Sequence, residues 1–327
     1  MADYRAAGVD LDAHAAFVRQ LGAVAAAASR PEVLAAVGPF AGAMGLPAGL
    51  ADPVLVASTD GVGSKVLLAA QCGRHREVGL DVVIHGANDV ATSGAAPLLF
   101  LDYLAVHQLE PEAALEIVAG AAEACRRAGC ALLGGETAQL PDLYREGTYD
   151  LAGTMLGVVE RARLVRPAAR PGDAVVGFPS SGLHTNGYSL VRRILAETGT
   201  DPRPQADLLL APSRLYSGDV ARLQREGATL RGLAHITGGG LPGNLDRALG
   251  PQVDAILDPA SWHRPAVLRW LQDLGGVPEA EMRRVFNLGI GFCAIVPPGE
   301  ADAVCAVVGG ARRIGEVVAG HGEVRWA

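Results

Sequence analysis

The stretch PVLVASTDGVGSK, Pro53 to Lys65, runs an apolar β-forming segment into a carboxylate, two glycines one residue apart and a lysine. Val54–Ala57 reads as a strand and Lys65 to about Cys72 as the helix after it. A carboxylate at a strand end can hold a hard cation, and glycines let backbone N–H groups approach phosphate oxygens. A lysine neutralises the charge that remains, so Asp60, Gly61, Gly63 and Lys65 are the parts of a magnesium phosphate site. The order is not that of a Walker A loop, G-x-x-x-x-G-K-[ST]: serine precedes lysine and no glycine stands at the required distance upstream. A nucleotide bound here needs another architecture.

Outward from this stretch, a second helix spans about Gly79 to Ser93 and carries the pair Asn88–Asp89. Pro97–Val106, PLLFLDYLAV, reads as a buried strand interrupted by Asp102. Residues 111 to 128 have helical spacing, with Arg126 and Arg127 in the last turn and Gly129 as the stop. The strand Cys130–Leu133 leads into Gly134-Gly135-Glu136-Thr137, and Tyr149–Glu160 forms another strand. Residues 161 to 172, with Pro167 and Pro171, make the best linker. We therefore divide the chain into a helix and glycine-rich arm (1–50), a first domain (51–166) and a second domain (167–327). The second begins with the strand Ala174–Phe178 and the loop SSGLHTNG, and includes AHITGGG at Ala234–Gly240. It closes with the strand Val285–Val296, the helix Ala301–Val308 and the strand Arg312–Val318. Helices and strands do not alternate one for one, which predicts an α/β chain in α+β-like layers rather than a doubly wound sheet.

With 327 residues, 50% hydrophobic and 19% charged, the chain has ample material for two cores. Its net charge of -7 argues against nucleic acid or an anionic membrane as the main partner and for a small substrate. The five cysteines are an odd number without a C-x-x-C pair, which fits buried thiols in a reducing cytoplasm. The first residues lack a basic segment leading into an apolar one, and no uncharged apolar run is long enough to span a bilayer.

Asp60, Glu136 and the loop after Ile236 all lie where an apolar strand gives way to glycine, and strand-end loops are where scaffolds place binding groups. Asp102, inside an apolar strand, needs a cation, a backbone partner or a proton; a satisfied strand aspartate and an outer carboxylate of a metal site both remain open. His184 lies in a loop of small hydrogen-bonding residues with little apolar packing, which points to a substrate or phosphate contact. Asn186 suits a helix N-cap, and His235 belongs either to its strand or to the glycine loop after it. His14, His75, His85, His107, His263 and His321 read as surface or packing residues. There is no G-x-S-x-G elbow, H-E-x-x-H helix or strand-linked G-x-G-x-x-G. The remaining inventory suits magnesium-assisted phosphoryl transfer.

STDGVGSK, Asn88–Asp89 with GAAP at 94–97, FLDY at 100–103, GGETAQLP at 134–141, SSGLHTNGYSLVR at 180–192, HITGGGLPGNL at 235–245 and FNLGIGF at 286–292 occur in this order. Together they resemble the phosphoribosylformylglycinamidine cyclo-ligase (AIR synthetase) family over essentially the whole length. The resemblance implies ATP-dependent closure of the imidazole ring of aminoimidazole ribonucleotide from formylglycinamidine ribonucleotide. It implies Mg2+ on Asp60 and Asp89, and ATP on Gly61, Gly63, Ser64, Lys65 and Asn88. Catalytic or substrate roles fall to Lys65, Glu136, His184 and Asn287, and substrate or phosphate contacts to Thr137, Thr185, Asn186, Thr237, Gly238 and Gly239. It also implies a homodimer whose first domains pair their mixed sheets into a barrel, beside second domains built as α/β sandwiches. The sequence departs from the family pattern at Ser58, Ser64 and Gln139, and at Gly22, where members often carry lysine. Other ATP-dependent phosphoryl-transfer enzymes of the same scaffold, or a non-catalytic nucleotide sensor, are the alternatives.

Overall fold

The computed structural model describes residues 11–327; the first ten residues of the arm lie outside the described part. Helix α1 (Leu11–Ala26) is followed by a short hairpin of β1 (Val33–Ala35) and β2 (Ala43–Met44). The first sheet contains β3 (Pro53–Gly61), β4 (Ala96–Val106), β5 (Ala131–Gln139) and β6 (Tyr149–Glu160), in the order β3-β6-β4-β5. It is mixed: β4 and β5 run parallel and the other neighbours antiparallel. Helices α2 (Lys65–Cys72), α3 (His75–Ala91) and α4 (Pro111–Ala128) accompany this sheet. Glycine brings α3 and α4 close: a Cβ on Gly79 would collide with the Ile117 carbonyl, and one on Gly120 with that of Arg76.

The second sheet comprises β7 (Ala174–Pro179), β8 (Gly232–His235), β9 (Val253–Leu257), β10 (Ile290–Val296), β11 (Arg312–Ala319) and β12 (Val324–Trp326). Their order is β12-β9-β11-β7-β10-β8, antiparallel except where β12 meets β9. Every residue of β10 is buried, because both faces of this sheet are covered. Ala174, Val176 and Phe178 join one core, while Val175, alternating with them, joins the other. A third core runs from α2, α3 and α4 into Leu183, α5 (Tyr188–Thr198) and Phe286, so apolar packing is continuous between the two halves.

Three segments differ from the sequence reading. β3 continues through Gly61 and β5 through Gln139, so the glycine-rich stretches expected to be loops are paired strands. Cross-strand hydrogen bonding overrides the weak strand propensity of glycine, and at Gly135 a Cβ would strike the Asp102 carboxylate. Val285 ends a helix, Glu279–Val285, and the strand expected from there begins only at Ile290, after Leu288 in a left-handed turn at φ 54.

Candidate active site

The i,i+4 spacing of His85 and Asp89 on α3 presents both toward β3. His85 Nε2 lies 2.9 Å from Asp60 Oδ2 and 3.8 Å from Asp89 Oδ2. Ser58 Oγ donates to Asp89 Oδ2 at 2.8 Å, and His235 Nδ1, at the end of β8, meets Asp89 Oδ1 at 2.8 Å. The second half also supplies Thr185, whose Oγ1 is 3.0 Å from His85 Nδ1. Four chain segments thus converge on the pair Asp60 and Asp89.

Burial opposes a charge on His85, but the hydrogen bond to Asp60 and the charges of Asp89, Asp60 and Asp81 together outweigh it and raise its pKa. The His85 hydrogen bond is the main cause that lowers the Asp60 carboxyl. Burial alone would raise Asp89, yet His235, His85 and Ser58 bring it below the ordinary value. Burial holds His235 low, so its neutral ring donates Nδ1–H to Asp89. The site is two carboxylates around one imidazole whose protonated form they favour.

Beside it, a cavity of about 400 Å³ is lined by Ser58, Asp89, His235, Thr237, Arg166 and Arg247, among others. The glycine loop at its edge is shaped by Asn244, whose Nδ2 donates to the carbonyls of Thr237, Gly238 and Gly240. Thr237 Oγ1 donates to Asn244 Oδ1, Gly238 and Gly239 are exposed, and the Asn186 side chain lies against Gly238. Gly63, at φ 69, and Ser64, whose Oγ is 3.1 Å from Ser189 Oγ, begin the turn into α2.

Several residues read as ligand contacts are engaged in internal contacts in this structure. Lys65 is fully buried; its ammonium ion-pairs with Asp81 at 2.6 Å and donates to the carbonyls of His184 at 2.9 Å and Ala211 at 3.1 Å. Two of its N–H groups are thus used on backbone carbonyls and its charge is paired with Asp81 in the core. Asn88 is likewise engaged at both ends, donating to the Arg214 carbonyl and accepting from the Tyr216 N–H. Asn287 donates to the Gly182 carbonyl and accepts from the Gly289 N–H, which fixes the 182–184 and 287–289 turns against each other. His184 is buried in a left-handed conformation at φ 60, and its Nε2 accepts from the backbone N–H groups of Ser181 and Arg214. Burial lowers its pKa far below the ordinary value, so it stays neutral, and its Nδ1 has no hydrogen-bond partner among the described residues. The Gly61 N–H donates to Asp60 Oδ1 at 2.7 Å.

Glu136 does not join the cluster. Register pairs Asp60 with Gly153, Gly153 with Asp102 and Asp102 with Gly135, while Glu136 lies in the next row with Tyr103 and Ala152. Paired residues share a face, so Asp60 and Asp102 face the helices whereas Glu136 and the exposed Tyr103 face outward. Thr137, paired with the buried Leu104, returns to the helix side. Burial raises the Asp102 carboxyl to about 7, opposed by its own backbone N–H and reinforced by Glu136. The residue that sequence reading missed is His85, set aside as a packing histidine. Its i,i+4 relation to Asp89 was the available signal.

Two family models match the chain: AIR synthase related protein, N-terminal domain, over residues 47–159, and its C-terminal domain over 170–327. A phosphoribosylformylglycinamidine cyclo-ligase from Synechococcus sp. (strain CC9605) is 50% identical over 311 residues, covering 92% of this chain and 90% of that protein. One from Sorangium cellulosum (strain So ce56) is 52% identical over 312 residues, covering 91% and 89%. Among solved structures, thiamine-monophosphate kinase from Stenotrophomonas maltophilia K279a superposes with TM-score 0.70 at 20% identity, covering 95% of each chain. The hydrogenase maturation protein HypE in complex with ATP gives TM-score 0.72 at 21% identity, covering 94% of this chain and 90% of that one. The two structural likenesses establish the fold; the near-complete coverage at about half identity places the chain in the phosphoribosylformylglycinamidine cyclo-ligase family, to which it belongs.

Proposed function

We propose that the protein converts formylglycinamidine ribonucleotide to aminoimidazole ribonucleotide with ATP, releasing ADP and phosphate, in purine biosynthesis. The observation that carries this reading is the match, at about half identity over nearly the full length, to relatives named for that reaction. A formyl oxygen is a poor leaving group, so the γ-phosphoryl group of ATP is transferred to it. The amidine nitrogen attacks the same carbon and gives up a proton, and phosphate departs with the former formyl oxygen. Positioning and charge neutralisation are the main demands of such a transfer.

The donor set suits Mg2+, because carboxylate oxygens of Asp60 and Asp89 approach a single point beside His85 Nε2, at 2.9 and 3.8 Å from it. When bound there, Mg2+ would neutralise charge on phosphoryl oxygens. Ser58 and His235 hold the Asp89 carboxylate in one orientation from opposite sides. Arg166 and Arg247 line the adjacent cavity and make no ion pair among the described residues, which lets them attract an anionic substrate. We assign phosphate contacts to Thr237, Gly238, Gly239 and Asn186 and the turn at Gly63 and Ser64 to ATP, with Thr185 acting through His85.

The outer face of the first sheet exposes Leu55, Leu101 and Tyr103, at 56, 37 and 41%. We assign this face to a second copy of the chain, which would enclose Glu136 and remove the apolar surface from water. The cysteines of the described chain are all free thiols, which supports a reducing, cytoplasmic setting, and none of its helices is long and apolar enough to cross a membrane. Incubation with ATP, Mg2+ and formylglycinamidine ribonucleotide should release ADP only when the ribonucleotide is present, with aminoimidazole ribonucleotide as the product. Folded protein that gives no ribonucleotide-dependent turnover would sink the proposal.

A further inference from the structure

Magnesium coordination uses the oxygens of this site, whose ring nitrogens offer a second kind of metal donor. His85 Nε2, an Asp89 carboxylate oxygen and a His235 ring nitrogen lie within 4.8 Å of one another. The individual separations, 2.8 Å from His235 Nδ1 to Asp89 Oδ1 and 3.8 Å from His85 Nε2 to Asp89 Oδ2, bracket a tetrahedral edge. For metal–ligand bonds of about 2.0–2.2 Å that edge is roughly 3.3–3.6 Å, so small side-chain shifts suffice to close the donors on one ion.

The surroundings are those of a built metal centre. Thr185 Oγ1, 3.0 Å from His85 Nδ1, can accept the Nδ1–H, so that an ion entering the site would displace the Nε2 proton and meet the Nε2 lone pair. Ser58 fixes the second oxygen of Asp89. The two imidazoles meet edge to face at 4.9 Å, and both are buried, whereas the Asp60 side chain is 55% exposed and leaves a way in from solvent. Magnesium prefers an all-oxygen octahedron with retained water, and two imidazoles suit zinc, cobalt or nickel better.

We propose that His85, His235 and Asp89 form a binding site for a borderline divalent cation of the zinc class, with Asp60 at its open side. The ion would tie α3 and β3 of the first half to β8 of the second. It would also occupy the carboxylates assigned above to magnesium, so zinc would act as an inhibitor that excludes Mg2+. The coordination itself does not depend on the proposed reaction, because it can be measured without ATP or ribonucleotide.

Metal-stripped full-length protein titrated with Co2+ should develop the intense visible absorption of four-coordinate cobalt, saturating at one ion per chain. Zn2+ should abolish the band, and about a hundredfold excess of Mg2+ should leave it in place. His85→Ala and His235→Ala should each weaken Co2+ binding by more than about tenfold. Thr185→Val, which keeps the side-chain shape, should weaken it about tenfold through loss of the outer hydrogen bond. Proton NMR of wild-type Co2+ protein, which needs no variant to fold, should show two imidazole N–H resonances shifted far outside the diamagnetic range. Absent or pale cobalt absorption, binding unchanged in both histidine variants, or no shifted imidazole resonance would each overturn the assignment. Loss of ring closure with the cobalt signature intact would instead count against the proposed reaction alone.

Discussion

At the scale of single residues, the site separates groups that hold the fold from groups that face the reaction. Asp89→Asn keeps the side-chain shape while removing the charge that His85 and His235 surround. We expect kcat to fall by on the order of 100-fold with little change in the urea midpoint, since the loss is one of charge stabilisation in the transition state. Wild-type turnover would show that the metal is held elsewhere. Lys65 predicts the opposite pattern. Lys65→Met leaves Asp81 buried without its cation, and breaking such a pair costs about 3–5 kcal/mol. Denaturant melts should show that loss while KM for ATP stays near the wild-type value; a raised KM at unchanged stability would return Lys65 to the triphosphate.

At the scale of elements, β4 carries a carboxylate against the helix layer in a row that contains Gly135 and Gly153. The Asp102 pKa rises from 3.8 to about 7 in the fold, so between these values the folded chain holds a proton that the unfolded chain has lost. Its contribution therefore becomes less favourable as pH rises through that window and is constant above it. Asp102→Asn should remove this slope and stabilise the protein at pH 8 relative to pH 5 by on the order of 2 kcal/mol, a value discounted for the solvent contact that the side chain retains. Urea unfolding of both proteins at the two pH values checks this; an unchanged slope would mean that Asp102 ionises normally. Strand boundaries were the least legible feature at this scale. Glycine and small polar residues at 58–61 and 134–139 resemble a loop locally, and only their neighbours' hydrogen bonds make them strands. Helices with strong periodicity and a glycine stop, such as α4 with Gly129 in the left-handed region, were readable to the residue.

At the scale of the whole molecule, α2 and α3 interlock the two halves. Lys65 reaches His184 and Ala211, Asp81 accepts from the Ser213 N–H, Asn88 holds Arg214 and Tyr216, and Asp89 meets His235. These contacts fix the cleft by joining the same two helices to several loops of the second half. The outer sheet face supplies the other large-scale test. Leu101→Glu, on an exposed strand position, should shift the sedimentation behaviour from dimer towards monomer by adding charge to the assigned interface. A variant that sediments unchanged would place the second copy elsewhere.

The sequence by itself determined the α/β class, the family, and the candidacy of Asp60 and Asp89, because these depend on local periodicity and on ordered motifs. Tertiary structure alone decided which neighbours of those acids act with them. Lys65, Asn88, His184 and Asn287 belong to conspicuous polar motifs, yet folding buries each of them and turns its hydrogen bonds toward the protein's own backbone. His85 lies in an apolar helical run, and its i,i+4 relation to Asp89 becomes a shared site only when β3 and β8 are brought against it. The difference follows from the range of the forces involved. Backbone patterns are written over a few residues, whereas the ionisation and availability of a side chain depend on charges and hydrogen-bond partners contributed by distant segments.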